Sequence, residues 1–115
     1  MGLIDKTQFK ATFDYFDKEI VGEIIDIFVK EYPDRIKAIS VSIESSNYDD
    51  IKFNSHSIKG VIANFVAPDV EQQARQLEMM GAEKNTEGID SLFAEFKESS
   101  AALVEELKEL REDYT

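Results

Sequence analysis

The chain has no cysteine, no tryptophan, a single histidine, two prolines and five glycines in 115 residues. Without cysteine there are no disulfides, no thiol nucleophile and no iron–sulfur ligation. One histidine leaves no zinc site of the usual nitrogen and sulfur kind. A bundle-type di-iron centre wants a Glu-x-x-His pair on each of two helices, and the residue three before His56 is Phe53. No metal site and no bound cofactor are therefore expected. An apolar run near the roughly 20 residues that span a bilayer is also missing. Met1 to Asp5 lacks the basic and apolar parts of a signal peptide. Lys6 stands where an N-myristoylation pattern needs serine or threonine. The expectation is a cytoplasmic protein with no membrane partner.

Positive charge is scarce too. Thirteen basic against 24 acidic residues leave a net charge of −11, a surface that repels nucleic acid phosphates and anionic lipid. Solubility accounts for most of that charge, and the expected partner is another protein. What is present is a core-forming composition, 43% hydrophobic and 32% charged. That and the length suit one folded domain over residues 1–115.

No alternating β-branched pattern marks a strand, and the apolar spacing is helical. Asp5 or Thr7 can cap a short first helix carrying Phe9, Phe13 and Phe16. Asp17 can cap a second, in which Ile20, Ile24, Ile27 and Phe28 follow the same period. Pro33 removes a helix hydrogen bond, which predicts a kink or restart before Ile36, Ile39 and Ile43. A third helix is expected from about Tyr48 to Ala67. Val70, Ala74, Leu77 and Met80 define a fourth that stops near Gly81 and Asn85, and Ile89 to Leu110 form one long last helix. The fold expected is all-α, an antiparallel four-helix bundle with a short additional N-terminal helix. No apolar stripe is left over, so a monomer is expected. The start at Met1 and the polar end Arg111 to Thr115 fit a stand-alone chain.

Phase singles out the third helix. At ~100° per residue, Ile51, Ile58, Val61, Ile62, Phe65 and Val66 share an arc of about 140°, and His56 lies roughly 150° from its middle. Lys52, Lys59, Gly60, Ala63 and Ala67 fall beside His56 on the outer face, with Phe53 at the border. Glycine inside a helix costs about 1 kcal/mol relative to alanine. On the outer face that cost is best explained by a partner's backbone approaching His56. Lys59 reads either as a solvated helix lysine or as a cation within reach of a negative group on His56. Phe53 reads either as an exposed apolar anchor or as an edge-of-core residue. The Glu105, Glu106 and Glu109 cluster reads as the solvated face of the last helix.

His56-Ser57-Ile58-Lys59-Gly60, followed by Ala63-Asn64 and Ala67, resembles the histidine-containing phosphotransfer (HPt) family of two-component phosphorelays. The likeness continues in Phe28 to Ile36 with its interior proline, in Tyr48 to Ile51, and in Ala74-Arg75-Gln76-Leu77-Glu78. Many members carry glycine where this chain has Val66, which leaves the exit of the histidine helix to be found. The resemblance implies that His56 accepts a phosphoryl group from a receiver-domain aspartyl phosphate and passes it to another receiver. Lys59 would then be an electrostatic helper and Gly60 the point of close approach, with Lys52, Phe53, Ala63 and Ala67 docking the partner. That partner would be a response-regulator receiver domain, a hybrid histidine kinase, or both. A neutral imidazole is a competent nucleophile near pH 7. The receiver would supply the aspartate and Mg²⁺, so the chain acts as a phosphocarrier and not as an independent enzyme. The alternative is an acidic helical adaptor that binds signalling proteins without carrying phosphate.

Overall fold

Asp5 ends the extended amino-terminal segment by accepting the Gln8 amide at 3.0 Å, so α1 runs over Lys6–Phe13. In the computed structural model, which describes residues 2–114, it is followed by α2 (Lys18–Glu44), α3 (Tyr48–Ala63), α4 (Pro68–Glu83) and α5 (Ile89–Arg111). A final 3₁₀ turn covers Glu112–Tyr114. No strand occurs among the described residues, and no helix there is long and apolar enough to cross a membrane. Met1 and Thr115 lie outside the described residues.

Helices α2 to α5 form the bundle, and cross-helix bonds give its sense. Arg35 meets Ser57 while Ala38 and Ser42 meet Asn54, so α2 and α3 are antiparallel. Tyr32 meets Ser100 while Asp26 meets Arg111, so α2 and α5 are antiparallel as well. Helix α1 closes one end. Its Phe9 stacks on Phe65 at 6.4 Å, Phe65 meets Phe28 at 5.3 Å, and all three rings are buried.

Four local expectations are corrected. Helix α2 does not restart at Pro33 but is a single helix through it, and the neighbours Tyr32 and Ile36 pack against the core. Tertiary burial on both sides of the proline outweighs one lost hydrogen bond. The packed face of α2 is Val21, Ile25, Phe28 and Ile39, and Phe16, Ile20 and Ile27 stay exposed. An apolar stripe is therefore left uncovered. Helix α3 ends at Ala63 and not at Ala67. Glu106, read as solvated, accepts the Leu3 and Ile4 amides at 2.6 and 3.3 Å and ties the amino-terminal segment to α5.

Val66 explains the α3 exit. Its φ is +56°, a left-handed conformation that a β-branched residue adopts at a cost. The strain is held by the tertiary frame: Val66 donates to Ala63 O, its own carbonyl accepts from Asp5, and its side chain packs on the core. Glycine adopts that conformation without strain.

Candidate functional site

Asn47 begins α3 by accepting the Asp50 amide at 3.1 Å, which sets the phase of the helix. Ile51, Ile58 and Ile62 are then fully buried, as their arc predicts, and the His56 side chain is 67% exposed. Lys52, Gly60 and Ala63 share the exposed surface, and Phe53 is 70% exposed, which settles it as a surface ring. A Cβ built on Gly60 meets nothing within 4 Å. The glycine therefore serves no packing inside the chain, and its bare backbone faces outward.

Ala67 does not belong to this face. It is completely buried at the N-cap position of α4, because α3 has already ended and the chain has turned through Val66. The helical phase assigned to Ala67 does not apply beyond Ala63.

The principal group missed in the sequence is Glu78 of α4. Its Oε2 lies 2.9 Å from His56 Nδ1 and its Oε1 accepts a hydrogen bond from Lys59 Nζ at 2.6 Å. Glu78 is within reach because α3 and α4 approach closely one turn away. A Cβ at Gly81 would stand 2.7 Å from Lys52 N and 2.9 Å from Tyr48 O. Burial alone would raise the Glu78 carboxyl, but the hydrogen bonds from Lys59 and His56 outweigh it and hold the group below the usual carboxylate range. An ionised carboxylate only accepts, so Nδ1 carries the hydrogen of a neutral His56. The lone pair then sits on Nε2, which no described residue hydrogen-bonds.

Two further side chains border the site. Met79, beside Glu78, is half-exposed. Arg35 of α2 donates to Ser57, next to His56 in the chain, at 2.9 Å and pairs with Glu31 at 3.2 Å. No group of three His, Cys, Asp or Glu residues that could hold a metal ion occurs among the described residues. A cavity of about 420 Å³ between α1 and the end of α5, lined by Phe9, Phe13, Phe16 and Tyr114, shares no residue with this site.

The family profile for the Hpt domain matches residues 23–113. The chain belongs to the Hpt domain family. No curated protein matches it in sequence. In structure it is similar to the crystal structure of histidine-containing phosphotransfer protein B (HptB) from Pseudomonas aeruginosa PAO1, with a TM-score of 0.88. The two are 16% identical, over 97% of this chain and 96% of the other, so this likeness speaks for the fold. Hpt domains are phosphocarriers of phosphorelays, and that is the class of this protein. The Hpt match begins at Glu23, so α1 and the start of α2 lie outside it.

Proposed function

We propose that His56 is the phosphorylated residue, taking a phosphoryl group from the aspartyl phosphate of one receiver domain and passing it to another. The observation that carries this is the bond from Nδ1 to Glu78 on a side chain that is 67% exposed, which leaves the ring's lone pair on Nε2. Attack in line on phosphorus forms the N–P bond as the P–O bond to the receiver's aspartate breaks. The electron pair leaves on that carboxylate. Positioning and charge dominate such transfers, and the receiver supplies the aspartate and Mg²⁺. This chain supplies the nucleophile, the Lys59 ammonium and an approach over Gly60.

Docking falls to Lys52, Phe53 and Ala63, with Met79 added at the α4 border. The two lysines complement an acidic receiver pocket in a chain otherwise dominated by negative charge. The hybrid histidine kinases that carry receiver domains are partners of the same kind. We place the protein in the cytoplasm. The test is transfer from a phosphorylated receiver with Mg²⁺, comparing wild type with His56→Gln. Acid-labile, base-stable label on the wild type alone is expected. Label retained by His56→Gln overturns the assignment, and no label from any of several receivers favours the adaptor.

A further inference from the structure

The carboxylate of Glu78 bridges the Lys59 ammonium and the His56 ring, whose charge changes when it is phosphorylated. The form that attacks is the neutral ring, with its proton on Nδ1 facing Oε2 at 2.9 Å. Attack through Nε2 makes both ring nitrogens substituted, and the ring becomes a cation that still holds the Nδ1 proton. For onward transfer the acceptor's carboxylate oxygen attacks phosphorus, and the N–P electron pair returns to Nε2. With Nδ1 protonated, a neutral imidazole departs. If Nδ1 has lost its proton, the departing group is an imidazolate anion, a far poorer leaving group.

We propose that Glu78 is a positioning residue that keeps the phosphorylated ring protonated at Nδ1, and so keeps the phosphoryl group transferable to higher pH. This rests on His56 being the phosphorylated residue. The geometry supplies the means. Glu78 sits on a helix pinned to α3 by the Gly81 contact, so its charge stays beside the ring through the cycle. The bond to Lys59 orients the carboxylate before attack. Afterwards the phosphoryl oxygens attract Lys59, and a carboxylate relieved of its ammonium partner acts more strongly on the ring. Other charged side chains on these elements include Lys52 on α3, one turn before His56, Arg75 on α4 paired with Glu71, and Arg35 on α2, which donates to Ser57 and pairs with Glu31. Among these, Glu78 alone is hydrogen-bonded to the imidazole.

The experiment uses the full chain phosphorylated by phosphoramidate, a donor that needs no receiver. Wild type, Glu78→Gln and Glu78→Asp are compared for transfer to one receiver with Mg²⁺ between pH 6 and 10, and NMR follows the Nδ1 titration of the phosphorylated ring. The amide keeps the shape and accepts the same hydrogen bond without the charge. In Glu78→Gln the midpoint of both curves should fall by about one pH unit, roughly tenfold slower transfer on the alkaline limb. Glu78→Asp should recover part of the shift. The same comparison with Lys59→Ala in both chains should preserve the difference. Coincident wild-type and Glu78→Gln curves overturn the role of Glu78 and leave His56 standing. A wild type that takes no phosphoryl group on His56 overturns the parent reading, and this one with it.

Discussion

Gly81 of α4 lies so close to Lys52 of α3 that a methyl group built on it stands 2.7 Å from the Lys52 backbone nitrogen. Backbone cannot yield as a flexible side chain can. Gly81→Ala should therefore cost about 1–3 kcal/mol through overpacking, despite the better helix propensity of alanine. Gly60, with nothing near it, should gain up to about 1 kcal/mol on the same change. Urea unfolding of the two variants separates these glycines: one is needed by the fold and the other is not. A Gly81→Ala protein as stable as wild type would contradict the close helix contact.

The same contrast extends to docking. Gly60→Glu puts bulk and negative charge on the exposed face, so receiver affinity should drop at least tenfold with the helical content kept. Ala67→Glu places a charge in the core and should unfold the protein instead. Circular dichroism and receiver titration together distinguish the outcomes. Unaltered receiver affinity in Gly60→Glu would remove the argument for close approach.

Lys59→Ala removes the ammonium proposed to assist a phosphoryl group on Nε2 and frees Glu78 of its 2.6 Å partner. Transfer should slow about tenfold, corresponding to about 1.4 kcal/mol. The lifetime of the phosphorylated protein should shorten. Rate and lifetime both equal to wild type would make Lys59 a structural partner of Glu78 and no more.

Glu78 also links stability to pH. Its pKa is lower in the folded chain than in the unfolded one. The unfolded carboxyl therefore binds a proton first as pH falls. The stabilisation is complete above the ordinary carboxylate range and is lost as pH drops through the folded value. Wild type should exceed Glu78→Gln in stability at pH 7, and the gap should close on acidification below about pH 4. Denaturation midpoints measured across that range check this, and a gap independent of pH would exclude the ionised bridge.

Much of the site was legible because it lies within one helix. Periodicity alone turned Ile51, Ile58 and Ile62 inward and His56, Lys59 and Gly60 to one strip, and the structure keeps that phase to Ala63. Ala67 was misplaced because phase stops carrying information once the helix ends. That end depends on a left-handed Val66 held by contacts from Asp5 and the core. In α2 two apolar stripes compete, and the sequence does not say whether Ile20 and Ile27 or Val21 and Ile25 meet the other helices.

The amino-acid sequence by itself determined the helical class, the phase of α3 and the histidine motif, since each is set by residues within a few turns of one another. Only the tertiary structure decided that Glu78 joins His56 and Lys59, that Glu106 ties down the amino-terminal segment, and that α2 runs unbroken through Pro33. Those outcomes depend on which helix faces meet and how closely. That is settled by side-chain volume and backbone approach between residues about 20 to 100 positions apart, and no local pattern records it.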